Sequence, residues 1–251
     1  MRKTNRTANK IFVIFVLLIM VTIAVLYLKN KQTTFTNYKN FGISIPDGFS
    51  IHGIDISHHE GKINWDLALK MKADDIKINF VFSKATQGVN YIDENYAYNS
   101  AILQQKNITQ GCFHYLMANQ SGIAQAQFFI KNANLSTGNL YPVLDVEELA
   151  GATPTQLQTC VKDWLQTIEN YYNVKPIIYA NADFYNTYLA DVCKNYPLWV
   201  AHYTATNSPR VRRKYLLWQH TENATIAGIN DLVDFNVFNG DSLAFTKIIL
   251  P

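Results

Sequence analysis

Two carboxylic acids stand two residues apart at the end of an apolar segment of this chain. Asp145 and Glu147 follow the letters YPVL at residues 141–144. On a β-strand, residues i and i+2 project to the same side, so the two side chains would face one space. Neighbouring carboxylates raise the pKa of one member of the pair, which supplies a general acid near neutral pH. Cleavage of a glycosidic bond needs such an acid and an anionic partner.

Two further acids occupy comparable places. Asp55 lies near the end of the first apolar segment, in IHGIDISHHEG, and Asp234 lies in the last one, in LVDFNVF. In barrels of parallel strands, functional side chains gather where the strands end. An isolated D-x-E pair usually starts a loop or caps a helix, but these shared positions favour chemistry. We therefore interpret Asp55, Asp145, Glu147 and Asp234 as catalytic.

The elements that must position these acids are visible as recurring apolar, β-branched segments. Several are apolar throughout, as strands buried on both faces should be. The first five begin about 30 residues apart, which leaves room for a helix in each gap, and the last three begin only about 20 apart. The sequence therefore predicts an α/β fold, a TIM-like β/α barrel with five β/α units followed by three strands with short connections. The predicted strands are 51–56, 80–85, 111–116, 141–146, 176–180, 198–202, 216–219 and 232–237, and the predicted helices in the gaps are 65–71, 93–105, 123–131 and 155–171.

The N-terminal part of the chain carries an uninterrupted run of 18 residues without a charge, at 11–28. As a helix this run would span roughly 27 Å, close to the hydrocarbon thickness of a bilayer. Basic residues precede it, which favours an N-terminus in the cytoplasm. The sequence therefore predicts a transmembrane helix ahead of the barrel and a single-pass protein of the cell membrane. The predicted parts are a cytoplasmic basic segment at 1–10, a transmembrane signal anchor at 11–28, a tether at 29–49 and an extracytoplasmic barrel domain at 50–251. A cleaved signal that leaves a secreted domain is the alternative.

Charge and cysteine content exclude several classes of partner. Residues 1–40 hold seven of the 22 Lys and Arg residues and no acid, so 15 basic and 19 acidic side chains remain in residues 41–251. That part is mildly acidic and has no basic stripe, which makes nucleic acid a poor partner. The three cysteines, Cys112, Cys160 and Cys193, include no CxxC pair, and a Cys160–Cys193 disulfide is conceivable in an oxidising compartment. We expect no metal and no cofactor, and a monomer.

Seven motifs resemble glycoside hydrolase family 25, the Chalaropsis-type lysozymes or N-acetylmuramidases. They are, in order, GIDISHHEGKINW, FSKATQG, YPVLDVE, IIYANADFYNTYL, LWVAHY, LWQH and VDFNVF, and they cover about residues 51–240. The resemblance implies a β/α barrel that hydrolyses the β-1,4 bond between N-acetylmuramic acid and N-acetylglucosamine in the glycan strands of peptidoglycan. It implies Glu147 as the catalytic acid, Asp145 as the partner that stabilises or orients the transition state, and Asp55 and Asp234 as flanking acids. Covalent and substrate-assisted intermediates are both compatible with these residues.

Aromatic and amide side chains in the same motifs are candidates for lining a glycan cleft, since apolar sugar faces stack on aromatic rings. Each of them is equally compatible with a place in the core. One departure from the family pattern concerns Gln87, which stands where the family often has Glu, three residues after Lys84. The lining candidates are Tyr115, Tyr179, Trp199, Tyr203, Trp218 and Gln219.

Two other functions compete with a peptidoglycan hydrolase. A non-catalytic glycan-binding module on the same barrel would bind wall polymer without turnover, and it would need damaged catalytic acids. A hydrolase of another N-acetylhexosamine polymer, such as chitin, would be separated by comparing the turnover of the two polymers. Remodelling of the cell's own wall and attack on other bacteria are both compatible with the sequence.

Overall fold

The computed structural model describes residues 4–29 and 33–251, and side chains at 10–23 and 33–251. Parts of the predicted basic segment, anchor and tether, namely residues 1–3 and 30–32 and the side chains of 4–9 and 24–29, lie outside this description. Contacts divide the chain into two compact units, Met1–Thr34 and Phe35–Pro251.

The described residues of the first unit include one helix, α1 (Thr4–Lys29). Among the described residues, no helix has both the length and the apolar character needed to cross a membrane. The prediction of a transmembrane helix at 11–28 is therefore wrong, and the prediction of the membrane as a partner loses the feature on which it was based. The run of 18 residues would give roughly 27 Å of helix, whereas the hydrocarbon core is about 30 Å thick and usually takes about 20 residues.

The second unit carries twelve described strands and six described helices. The strands are β1 (Phe35–Tyr38), β2 (Ile43–Pro46), β3 (His52–Ile56), β4 (Lys72–Ala73), β5 (Ile76–Gln87), β6 (Tyr91–Ile92), β7 (Thr109–Tyr115), β8 (Val143–Asp145), β9 (Ile177–Asn181), β10 (Leu198–Ala201), β11 (Leu217–Ala224) and β12 (Val233–Phe238). The helices are α2 (Trp65–Ala68), α3 (Tyr96–Gln105), α4 (Gly122–Ala133), α5 (Pro154–Tyr172), α6 (Ala182–Phe184) and α7 (Ser242–Thr246), with a 3₁₀ turn at His58–Glu60 and a π-helical turn at Tyr185–Leu189.

Eight of the strands close into a barrel, as the spacing of the apolar segments predicts. Their order is β3-β12-β11-β10-β9-β8-β7-β5, and β5 pairs back to β3. Neighbouring strands are parallel except around β12, which is antiparallel to both β11 and β3. The sequence analysis did not assign this reversal, because the apolar pattern of a buried strand carries no information on its direction.

The inside and the outside of the barrel are filled by alternate residues of the strands. In β5, Phe80 and Phe82 pack in the interior and Val81 packs in an outer cluster, which follows the period of two of a β-strand. Residues after the last strand also reach the interior: Phe245 and Ile248 belong to the same inner cluster. The barrel is therefore a packed core rather than a channel.

Helix α5 shows how local sequence signals fix an outer element. Thr153 accepts a hydrogen bond from the backbone N–H of Gln156, whose side chain accepts from the backbone N–H of Thr153, and Pro154 occupies the first helical position. The helix then buries the apolar stripe that the sequence predicts, Leu157, Val161, Trp164, Leu165 and Ile168. This stripe fixes α5 against the barrel and against α4.

The compact unit begins earlier than residue 50, at Phe35. β1 and β2 form an antiparallel hairpin inside the segment that the sequence analysis treats as a tether. Phe41, Ile43 and Ile45 are buried in the outer cluster beside the barrel, and the Phe41 ring lies 5.4 Å from that of Phe235. The hairpin therefore covers the outer face of strands β11 and β12.

We predict that Gly122→Ala destabilises the protein by about 1–3 kcal/mol, as overpacking of a tight contact does. A Cβ at Gly122 would lie 2.1 Å from the backbone oxygen of Cys160 in α5, which cannot turn away as a side chain can. Urea unfolding measures the change. The control is Ile123→Ala at the exposed neighbouring position, which should change the free energy of unfolding by no more than about 0.5 kcal/mol. Equal stability of the two variants would contradict this packing.

Candidate active site

The strand order brings the four predicted acids to one end of the barrel. Asp145 ends β8 and lies in register with Tyr115 of β7 and Tyr179 of β9. Asp55 lies at the corresponding end of β3, and its partner across the antiparallel pair is Asp234. Because β12 runs in the opposite direction, its first residues lie where the parallel strands end.

At this end lies a pocket of about 170 Å³ that contains all four acids. The side chains around it are acidic, aromatic and polar, with one lysine and one aliphatic residue. They are Asp55, Ser57, His59, Lys84, Phe113, Tyr115, Val143, Asp145, Glu147, Tyr179, Trp199 and Asp234. The site is thus a small, largely buried space with a cluster of ionisable groups, as expected of an active site.

Asp55 is held by amide side chains from two other strands. The Nε2 atom of Gln219 donates to both carboxylate oxygens at 3.0 Å, and Nδ2 of Asn236 donates to Oδ2 at 2.6 Å. Burial raises the pKa of Asp55 to about 7, although these hydrogen bonds oppose the shift and the charges of Glu60 and Glu147 add to it. Asp55 therefore changes its protonation state near neutral pH.

The pair formed by Asp145 and Glu147 divides into a buried and an accessible member. Asp145 is buried, and its Oδ1 atom has no hydrogen-bond partner in the structure. Burial and then the charge of Glu147 raise the pKa of Asp145 well above its usual range. Glu147 is exposed as a residue, but its carboxyl group lines the pocket, and the partial burial of that group raises its pKa too. The two acids therefore compete for protons.

Asp234 completes the group from the opposite wall. Its side chain is half-buried. Burial, followed by the charge of the facing Asp55, raises the pKa of Asp234 to about 9. At neutral pH the pocket therefore holds fewer negative charges than carboxyl groups, because each ionised acid disfavours the ionisation of its neighbours.

The predicted cleft-lining residues fall into two sets. Tyr115, Tyr179 and Trp199 line the pocket. Tyr203 is exposed outside it, and its hydroxyl donates to Oε1 of Gln219 at 2.7 Å. Gln219 also lies outside the lining, and its side-chain amide donates to the carboxylate of Asp55.

Trp218 was a candidate for lining the cleft, but it lies away from the pocket. It is fully buried, its Nε1 donates to the backbone oxygen of His202 at 3.1 Å, and its ring lies 6.0 Å from that of Phe35 in the hairpin. The reason is strand alternation, since Trp218 precedes Gln219 and must project to the opposite side of β11.

Sequence reasoning did not single out Asn236, which is fully buried in the site. Its Oδ1 accepts from Nε1 of Trp199 at 2.8 Å while its Nδ2 donates to Asp55. The available signal was its position two residues after Asp234 in VDFNVF, which places both side chains on one face of β12. Ser57, Phe113 and Val143 also line the pocket, and sequence reasoning did not single them out.

The described residues contain no group of three or more His, Cys, Asp or Glu side chains placed to hold a metal ion. The Nδ1 atom of His58, a residue next to the pocket-lining His59, contacts the carboxylate of Asp93 at 3.0 Å. Cys160 and Cys193 are free, buried thiols, as is Cys112, so the conceivable disulfide is not formed.

A closed β/α barrel with several carboxylic acids at the mouth has the groups that glycoside hydrolysis uses, and glycoside hydrolases are one class of enzyme built on this fold. The family model for glycosyl hydrolases family 25 matches residues 54–229, and the chain belongs to that family and is a glycoside hydrolase. This confirms the resemblance drawn from the seven motifs.

Individual relatives agree with this membership. The chain is 38% identical over 202 residues to the Escherichia coli K12 protein YegX. This alignment covers 80% of this chain and 74% of YegX. It is 29% identical to lysozyme M1 of Streptomyces globisporus, over 78% of this chain and 70% of that protein. A family 25 glycosyl hydrolase from Bacillus anthracis has a similar structure, with a TM-score of 0.73 and 26% identity over 80% of this chain and 94% of that one.

We predict that Asp55→Asn removes part of the pH dependence of stability. The pKa of Asp55 rises to about 7 from an ordinary 3.8, so between these values the folded chain retains a proton that the unfolded chain has released. This group therefore lowers the free energy of unfolding as pH rises from about 4 to 7, by at most about 1.4 kcal/mol per pH unit, and the loss is complete above 7. Urea titrations at several pH values should show a shallower decline in the variant.

An asparagine at position 55 also disturbs the hydrogen bonds from the two amide donors. That loss lowers the free energy of unfolding by the same amount at every pH, so it does not change the slope of stability against pH. The control, Asp191→Asn, removes an exposed carboxyl group outside the pocket and should keep the wild-type slope. Parallel pH curves for the wild type and Asp55→Asn would contradict the assignment.

Proposed function

We propose that the chain is a peptidoglycan hydrolase that cleaves the β-1,4 bond between N-acetylmuramic acid and N-acetylglucosamine. The observation that carries the proposal is the unequal pair of carboxyl groups in the pocket, one buried at Asp145 and one accessible at Glu147. Family membership and the likeness to lysozyme M1 support the choice of substrate.

Glu147 is the general acid of the proposed reaction. It is the accessible member of the pair, so a glycosidic oxygen can approach it, and its raised pKa keeps its carboxyl group protonated to higher pH. Transfer of this proton to the leaving oxygen lets the bond to the anomeric carbon break without forming a free alkoxide.

Asp145 stabilises the positive charge that develops on the sugar. Its buried Oδ1 lacks a hydrogen-bond partner, which is costly unless a ligand supplies a donor. The N–H of the substrate's N-acetyl group is such a donor, and this contact would orient the N-acetyl group next to the reacting carbon. As the proton leaves Glu147, the negative charge on the pair grows and the attraction to the oxocarbenium-like sugar increases.

Asp55 and Asp234 form the wall opposite this pair. Their carboxyl groups accept hydrogen bonds when ionised and donate them when protonated, so they suit the hydroxyl groups of a sugar ring. The half-buried ring of Tyr115 supplies apolar surface in the same pocket, and the buried Trp199 lies behind its wall. Since peptidoglycan lies outside the cytoplasmic membrane, we place the working enzyme outside the cytoplasm.

Glu147→Gln tests the proposal. The amide cannot donate a proton to the leaving oxygen, so we expect the rate of reducing-end release from purified peptidoglycan to fall about 10²–10⁴-fold. The matched control is Glu148→Gln, an identical change at the exposed neighbouring residue, which should stay close to the wild-type rate. Mass analysis of the fragments identifies the bond that is cut.

Three outcomes would redirect the assignment. Full activity of Glu147→Gln would remove Glu147 from its role. Wall binding without turnover by the wild-type chain would favour a glycan-binding module. Faster turnover of chitin than of peptidoglycan would favour another N-acetylhexosamine polymer as substrate.

A further inference from the structure

Lys84 is a buried cation in the pocket that the steps above do not use. Its side chain is largely buried, and its Nζ atom lies 4.8 Å from the centre of the Tyr115 ring. It belongs to β5, next to the strand that carries Tyr115. Burying a lysine is costly, so the position of this charge calls for a compensating interaction.

No carboxylate of the described side chains lies in contact with this ammonium group. None of the ion pairs within 4.0 Å among the described residues includes Lys84. Its hydrogen bond goes to Oε1 of Gln87 at 2.7 Å, which is the oxygen of a neutral amide. The partner therefore orients the ammonium group without neutralising it.

The nearby carboxylate of Asp93 is occupied elsewhere. It accepts from the backbone N–H of His58 at 2.9 Å and of Asn95 at 3.0 Å, and it contacts Nδ1 of His58 at 3.0 Å. Its side chain is 1% exposed, so these contacts leave it no room to turn toward the pocket. Asp93 therefore forms no ion pair with Lys84, whereas the carboxyl groups of Asp145 and Glu147 line the same pocket as Lys84.

We propose that Lys84 is a positioning residue for the acid pair: the neutral amide of Gln87 holds its ammonium group at the wall of the pocket, where it controls how many protons Asp145 and Glu147 share. The catalytic role of this control rests on the proposed function, in which Glu147 is the general acid. When the pair shares one proton, transfer of that proton from Glu147 to the leaving oxygen leaves both carboxyl groups anionic beside the developing positive charge. Without the cation, the pair would keep both protons to higher pH.

The electrostatics of the pocket support this assignment. The charge of Lys84 lowers the pKa of both Asp145 and Glu147, against the upward effect of burial. Burial in turn lowers the pKa of Lys84, and the charges of Asp145, Asp93 and Glu147 oppose that shift. The groups that face Lys84 from the surrounding elements are Gln87, Tyr91, Asp93, His114, Tyr115, Asp145 and Glu147.

Gln87→Glu gives the sharpest test, because it changes one atom type and turns the neutral partner into an anion. We expect the apparent pKa values of the pair to rise by about one unit. Carbon-13 NMR of the carboxyl groups in the complete chain measures this change, and the variants Asp145→Asn and Glu147→Gln identify the signals of the two acids. The alkaline limb of reducing-end release should move to higher pH by a similar amount. Lys84→Met should also raise the apparent pKa values of the pair, and Lys84→Arg, which keeps the positive charge, should leave them close to the wild-type values.

The control is Gln127→Glu, which makes the same chemical change at an exposed position of α4 and should leave the titration of the pair unchanged. Unmoved titration of the pair in folded Gln87→Glu would overturn the proposal, and so would an equal shift in Gln127→Glu. If Lys84→Met does not fold, the titration of Gln87→Glu is the test of the proposal. A wild-type chain that shows the expected titrations but releases no reducing ends would refute the proposed function and leave this inference intact.

Discussion

The site depends on one electrostatic constraint, the confinement of several carboxyl groups in a small and largely buried space. Asp55, Asp145 and Asp234 all have raised pKa values, in each case chiefly because burial penalises the charged form. Repulsion between the acids adds to this effect, so the group keeps protons that isolated carboxylic acids would lose. Those retained protons are what a general acid needs, and the rest of the architecture can be understood as the means of holding the acids together.

Neutral amides solvate the buried charge without cancelling it. Gln219 and Asn236 donate to Asp55, and a basic side chain in either place would instead keep this acid permanently ionised. Each amide is also locked in orientation. Tyr179 donates to the oxygen of Gln219 and Trp199 to that of Asn236, so the NH₂ group of each must point at Asp55. Aromatic side chains of the pocket wall thus fix the polar layer beneath it.

The sequence predicted the strands and the positions of the acids because an apolar run and the polar residue at its end are local features. It did not predict which face a residue takes, since Trp199 and Trp218 both lie in runs that are apolar throughout. It also assigned no contact between Asp55 and the amides, which are 164 and 181 residues away along the chain. The hairpin at 35–46 was interpreted as a tether because each of its strands has only four residues and the first exposes two adjacent polar residues, Thr36 and Asn37. The run at 11–28 suggested a membrane span that the described helix does not support.

The reversed direction of β12 explains how one strand serves both ends of the barrel. Its start lies at the mouth, where Asp234 meets Asp55 across the antiparallel pair. Its end lies at the opposite side, so the chain that follows can cover the barrel floor with Phe245 and Ile248. A parallel last strand would place its first residues at the floor and its exit at the mouth, beside the pocket. The antiparallel strand therefore supplies an acid to the mouth and closes the floor with apolar side chains, which keeps the pocket open toward solvent on the side where a glycan must enter.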